Sequence, residues 1–261
     1  MRPAIVTLLS DFGIADAYVG AMKGVMLGVD RDLRLVDITH EVAPQDVFGG
    51  ALVLRHAAPF FPRGTVHLAV VDPGVGSARA PIVIETALGW FVGPNNGILT
   101  LAAPAPRQAH RLENPAFRLP VLSSTFHGRD LFAPAAAHLA SGVPLDRLGP
   151  AVTDLVRLLL PLARHESGLI VGEVIGTDRF GNLLTTVTEK DLASLDASRG
   201  LVVEIAGIRV GAPVSAYSDA RPGAAGAIMG SAGRLEIFVR EGSARLTLGL
   251  GRGAPVIVKR A

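Results

Sequence analysis

From Thr65 to Val71 the chain reads Thr-Val-His-Leu-Ala-Val-Val, with apolar residues at successive positions and not only at alternate ones. Such a strand must be buried on both faces, which calls for helices above and below a mostly parallel sheet. Ala4 to Ser10 repeats the theme and ends at Asp11-Phe12-Gly13. Between these runs, Ala17 to Leu27 has helical periodicity with Gly28 as a stop signal, Arg34 to Ile38 is strand-like, and Gln45 to His56 is helical. Ile82 to Glu85 and Trp90 to Val92 predict a strand pair around Gly89. Asp130 to Ser141 predicts a helix stopped by Gly142 and Pro144. The expectation is an α/β amino-terminal domain with a mostly parallel sheet, spanning residues 1–165.

From Gly168 the texture changes to short alternating segments separated by glycine-containing turns: Leu169 to Ile175, Leu183 to Thr188, Leu201 to Ile205, Ala227 to Met229, Leu235 to Val239 and Pro255 to Val258. These predict a second domain over residues 166–261, a small antiparallel sheet or barrel.

Composition excludes several functional classes. Hydrophobic residues make up 49% and charged residues 18%, so disorder is not expected. The mean hydropathy is +0.41, but the apolar runs are too short for membrane spans. With no cysteine there is no disulfide, thiolate nucleophile or cysteine-based zinc site. The net charge is +2 and the arginines are scattered, which argues against nucleic acid as a partner. Met1-Arg2-Pro3 runs into a strand without a signal-peptide pattern, so a soluble cytoplasmic protein is expected.

Asp11 and Asp72 each follow the carboxyl end of an apolar strand, where open α/β sheets bind ligands. Each also fits a turn or capping role. In Asp72-Pro73-Gly74-Val75-Gly76-Ser77-Ala78-Arg79, a carboxylate and a guanidinium bracket two glycines. The pair either closes the loop as a salt bridge or holds and polarises a water, and the loop matches neither the Walker nor the dinucleotide pattern. His127 precedes the helix beginning near Asp130, whose positive end disfavours imidazolium. The other six histidines (His40, His56, His67, His110, His138 and His165) show no metal-ligand spacing and receive no role. Asp178-Arg179-Phe180-Gly181-Asn182 is a turn that offers an aromatic face and an amide, either a plain hairpin turn or a purine clamp.

In order along the chain, Leu9-Ser10-Asp11-Phe12-Gly13 with Asp16-Ala17-Tyr18-Val19-Gly20, Val71-Asp72-Pro73-Gly74-Val75-Gly76 with Arg79, Gly93-Pro94-Asn95-Asn96-Gly97, Thr125-Phe126-His127-Gly128-Arg129-Asp130 and Asp178-Arg179-Phe180-Gly181-Asn182 resemble the adenosine-forming S-adenosylmethionine hydrolase family, relatives of the fluorinase and chlorinase. The resemblance spans nearly the whole chain. It implies a carboxyl-terminal β-barrel and a homotrimer with sites at subunit interfaces. It also implies hydrolysis of S-adenosyl-L-methionine to adenosine and L-methionine, without metal or cofactor. By position, Asp72, Arg79 and His127 look like the water-activating set and Asp11 like the ligand of the ribose diol. Phe180, Asn182 and the backbone near Val239 would hold adenine, Asp178 and Ser231 would face the methionine end, and Glu236 is a further substrate-binding candidate. Ala232 stands where relatives often have Ser or Arg. The halogenating relatives carry Tyr in place of Asp72, Thr in place of Val75, and Tyr-Ser in place of His127-Gly128, so the hydrolase is expected over a halogenase. A non-catalytic binder of adenosyl compounds would not need Asp72, Arg79 and His127 together.

Overall fold

A computed structural model describes residues 4–103, 105–195 and 200–261. Met1-Arg2-Pro3, on which the amino-terminal reading rests, lies outside them. The chain forms two compact units, Met1–Leu159 and Leu160–Ala261.

The first unit runs β1 (Ile5–Ser10), α1 (Tyr18–Val29), β2 (Arg34–Thr39), α2 (Val47–Ala57), β3 (Thr65–Val70), β4 (Pro81–Glu85), β5 (Gly89–Pro94), β6 (Gln108–Arg111) and α3 (Ala133–Ala140). Its sheet has the order β2-β1-β3-β5-β4-β6. The pairs β1–β2, β1–β3 and β3–β5 are parallel, whereas β4 is antiparallel to both β5 and β6. The sheet is therefore mixed, parallel in its central and β2-side half. Every residue of β3 is buried, as its apolar run requires. Val6, Leu8, Val66 and Leu68 pack with Met22 and Met26 of α1 and Ala133, Ala136 and Ala137 of α3. On the opposite face, Gly50 of α2 lies so close to Val71 and Ile98 that an added Cβ would crowd both side chains.

Three boundaries differ from expectation for identifiable reasons. Gly28 lies inside α1, which ends at Val29 against the extended cap residue Asp30. α2 starts at Val47, not Gln45, because Gln45 adopts φ +65° and the Asp46 side chain caps the helix by accepting from the Gly49 N–H at 3.0 Å. The predicted Asp130–Ser141 helix begins with a wide π-type turn, Gly128–Phe132, and becomes α-helical only from Ala133. Pro134, which has no N–H to donate, stands where the π-type turn gives way to the α-helix.

The second unit comprises β7 (Arg164–Glu166), β8 (Leu169–Thr177), β9 (Leu183–Thr188), α4 (Glu189–Ala193), β10 (Leu201–Ile205), β11 (Ile208–Gly211), β12 (Pro213–Val214), β13 (Ala225–Met229), β14 (Arg234–Val239), α5 (Ala244–Leu248) and β15 (Pro255–Arg260). The strand path is β11-β10-β15-β8-β9-β14-β13-β12, with β7 added beside β8. The expected antiparallel pattern holds except at β12–β13, which is parallel. The long strand β8 changes partners, pairing with β15 and, past an irregularity between Val174 and Gly176, with β9. That bend curls the sheet into a nearly closed barrel around Ile170, Val174, Leu183, Val203, Ile237 and Val258.

Candidate active site

The register of the first sheet places its two aspartates together. Ser10 of β1 pairs with Val70 of the adjacent parallel strand β3, so Asp11 and Asp72 emerge at the same edge. Asp72 and Arg79 side chains are 5% and 10% exposed, well shielded for a charged pair. Arg79 Nε donates to both Asp72 oxygens at 2.9 Å, and Arg79 Nη2 donates to Asp72 Oδ2 as well. Nη2 also lies 2.9 Å from His127 Nδ1, and the guanidinium carbon sits 5.2 Å from the centre of the Phe132 ring.

This geometry fixes the histidine tautomer. A guanidinium can only donate, so His127 Nδ1 accepts and the proton of the neutral ring is on Nε2. Burial lowers the His127 pKa, and the nearby Arg79 charge lowers it further against the opposing pull of Asp72 and Asp130. The expectation of a neutral histidine holds, with burial and Arg79 as its causes.

The loop between Asp72 and Arg79 shows why it contains Gly76. This residue has φ +77°, and a Cβ there would lie 2.5 Å from the Ser124 carbonyl oxygen. The missing side chain thus seats the loop against the segment leading to His127. Across the site, the rings of Phe12, Tyr18 and Phe126 meet one another at centroid distances of 5.1 to 5.9 Å. They tie the Asp11 turn to the residue before His127. Asp11 Oδ2 accepts the Gln45 N–H at 2.8 Å.

The remaining candidates lie in the second unit. Asp178 knits its own turn: Oδ1 accepts the Phe180 and Asn182 N–H groups at 2.9 and 2.8 Å, and Oδ2 accepts Asn182 Nδ2 at 2.8 Å. The turn leaves the Phe180 ring 76% exposed. Beside it, Thr177, Phe180, Ser243, Arg245 and Leu246 line a cleft of about 320 Å³. Glu236 is buried, and its carboxylate accepts the Tyr217 hydroxyl at 3.2 Å. Burial and the Asp178 charge raise its pKa, only partly offset by Tyr217. Ser231 is exposed in the turn before β14, and the Val239 carbonyl accepts the Gly242 N–H at 3.1 Å.

Some residues that shape the site received no role from the sequence, Asn96 among them although it belongs to the quoted Gly93–Gly97 motif. Asn96 Nδ2 donates to the Val71 carbonyl at 2.8 Å, pinning the backbone next to Asp72. Tyr217 gives Glu236 its hydrogen bond, and His40 lies behind the Asp11 turn. Among the described residues no group of three or more histidine, cysteine, aspartate or glutamate side chains could hold a metal ion, and no helix is long and apolar enough to cross a membrane.

Family models for the SAM hydroxide adenosyltransferase N-terminal and C-terminal domains match residues 6–149 and 172–257. The (R)-S-adenosyl-L-methionine hydrolase of Thermus thermophilus is 47% identical, covering 98% of this chain and 99% of its own. A fluorinase of Nocardia brasiliensis is more distant, 30% identical over 78% of each chain. The crystal structure of an uncharacterized conserved protein from Thermotoga maritima superposes with a TM-score of 0.91 at 35% identity, covering 98% of this chain and 100% of that one.

Proposed function

The chain belongs to the SAM hydroxide adenosyltransferase family, and from that premise we propose that it hydrolyses S-adenosyl-L-methionine to adenosine and L-methionine at a water held by Asp72, Arg79 and His127. The observation that carries this reading is Arg79 bonded to Asp72 on one side and to His127 on the other. A non-catalytic binder has no use for such an arrangement.

The substrate's sulfonium makes methionine a neutral leaving group, so departure needs no general acid. Attack by water on the ribose 5′ carbon forms the carbon–oxygen bond as the carbon–sulfur bond breaks, and its electron pair stays on methionine sulfur. One water proton must be removed. Arg79 stays protonated, and His127 presents Nδ1 to Arg79 and carries its proton on Nε2, so the Asp72 carboxylate is the acceptor. His127 Nε2–H then orients the attacking oxygen. A halide would meet the Asp72 charge at the same place and be repelled, which favours water over halogenation.

Asp11 is the proposed ligand of the ribose diol. Phe180, Asn182 and the Val239 backbone are assigned to adenine, and Asp178, Ser231 and Glu236 to the methionine end. The free ring of Phe180 and the neighbouring cleft support the adenine assignment. The family resemblance is what supports a homotrimer whose sites are completed by a neighbouring subunit. The relatives' name supports the (R)-sulfonium epimer as substrate. Incubation of resolved epimers in ¹⁸O-labelled water is the test. Label in the 5′-hydroxyl of adenosine, formed from the (R) epimer, is expected; unlabelled adenosine overturns the water mechanism.

A further inference from the structure

Ser10, the last residue of β1, has no accessible surface, and its hydroxyl lies 2.7 Å from His40 Nδ1. His40 follows β2 and is 4% exposed. Its Nε2 lies 3.1 Å from Asp37 Oδ1, and Asp37 Oδ2 accepts from Lys23 Nζ at 2.6 Å. Serine, histidine and aspartate are thus connected as in a nucleophilic triad. A serine sealed from solvent cannot reach a substrate carbon, however, so its hydroxyl serves the chain itself.

The direction of each bond can be assigned. Burial opposes the charge on Asp37, but hydrogen bonds from Lys23 and His40 outweigh it and hold the carboxyl below its usual pKa. An ionised carboxylate only accepts, so His40 Nε2 bears a proton towards it; in the neutral ring Nδ1 then accepts from Ser10. The Ser10 oxygen in turn accepts the Phe12 N–H at 3.4 Å. The His40 backbone adds a second tie, its carbonyl accepting the Gly13 N–H at 2.8 Å. Both ends of the Ser10–Gly13 turn are therefore held by one histidine, and the residues between those ties are Asp11 and Phe12.

We propose that the Ser10–His40–Asp37 series is a positioning device that fixes the Ser10–Gly13 turn and so sets the Asp11 carboxylate for the ribose diol. The proposal rests on the assignment of Asp11 to the diol. Ser10 and His40 are positioning residues and touch no reacting atom. A carboxylate on a loosely held turn would have to be ordered at each binding event, which weakens affinity for diol-bearing ligands and leaves other contacts intact.

The test compares adenosine with 2′,3′-dideoxyadenosine by calorimetry on the purified full chain, with melting temperatures confirming that each variant folds. Ser10→Ala should reduce the preference for adenosine roughly tenfold, the scale of one charge-linked hydrogen bond. KM for the sulfonium substrate should rise with kcat little changed. Asp37→Ala, at the solvent-exposed end of the series where loss of fold is not a concern, should shift the preference in the same direction by less. Folded Ser10→Ala and Asp37→Ala proteins that keep the full adenosine preference, while Asp11→Ala loses it, would overturn the proposal. If Asp11→Ala itself keeps the preference, the diol assignment is what fails.

Discussion

Arg79 Nη2 lies 2.9 Å from His127 Nδ1, joining residues 48 positions apart in the sequence through a donor that cannot deprotonate. The same guanidinium grips the Asp72 carboxylate through Nε. The contact does more than align the three groups. It makes Nδ1 an acceptor, places the ring proton on Nε2 and, in the proposed mechanism, leaves Asp72 as the base.

Arg79→Lys should therefore fail despite keeping the charge. A single ammonium cannot span a carboxylate and an imidazole in the plane that the guanidinium occupies. We expect kcat to fall roughly 10²-fold with folding intact. Steady-state kinetics together with a melting curve check this, and a lysine variant of unchanged kcat would show that charge alone suffices.

The same contact sets a pH limit. Burial and the Arg79 charge hold the His127 pKa below its ordinary value, so the neutral form persists into mild acid. When His127 does protonate, Nδ1–H confronts the Arg79 donor and the alignment is lost. The expected pH profile of kcat/KM has an acid limb that begins below the usual imidazole range. His127→Gln should lower the plateau and remove the limb contributed by the ring. A limb unchanged in the variant would assign that titration to another group.

Much of the fold was legible because burial leaves a direct mark on sequence. The consecutive apolar residues of β3 could only be a strand covered on both faces, and Asp11 and Asp72 leave the ends of β1 and β3 at the same sheet edge, as that reading requires. What could not be read depends on partners distant in sequence. Gln45 is displaced from α2 by its hydrogen bond to Asp11, 34 residues away. β6 has the sequence Gln-Ala-His-Arg with its two middle residues buried side by side, a pattern without alternation. His40 has Asp37 three residues before it, but its bond to Ser10 depends on the parallel pairing of β1 and β2.

A stability effect separate from catalysis is expected at His67. This buried ring lies 2.8 Å from Thr7 Oγ1 and stacks on Phe91, and desolvation lowers its pKa to about 4. Its folded pKa is below its unfolded value, so its neutral-state stabilisation is complete above pH 6.5 and is lost as pH falls through the window down to about 4. The shift corresponds to about 3 kcal/mol. Denaturant melts of wild type and His67→Gln at pH 7 and pH 4.5 should show a smaller pH-dependent loss in the variant. Equal losses would place the acid sensitivity elsewhere.

Gly76→Ala should damage the site without touching a reacting group. Alanine at φ +77° is strained, and its methyl group would meet the Ser124 carbonyl. The cost should exceed about 1 kcal/mol. We expect lowered kcat with normal adenosine binding, because the Asp72–Arg79 loop would shift against the His127 segment. Wild-type kcat in a folded variant would show that the loop tolerates the displacement.

The last prediction separates chemistry from gripping, and one subunit from another. Asp72→Ala should lower kcat by roughly 10²- to 10⁴-fold with adenosine affinity little changed, since it removes the proton acceptor and leaves the nucleoside contacts in place. Asn182→Ala should chiefly weaken binding, because it removes an amide from the proposed adenine clamp and loosens the turn that Asp178 holds together. Substitutions at Asp72, Arg79 and His127 should be strongly non-additive, as groups that jointly hold one water lose most of their effect with the first removal. If a site draws Asp72 from one subunit and Asn182 from the next, mixing the two impaired single variants, assayed at a substrate concentration where Asn182→Ala has little activity, should restore activity at interfaces that combine the unmutated halves. Labelled subunits would first establish that exchange has occurred. Exchange without recovered activity would place the whole site within one chain, and an Asp72→Ala protein with undiminished kcat would leave Asp72 as a loop-closing partner of Arg79.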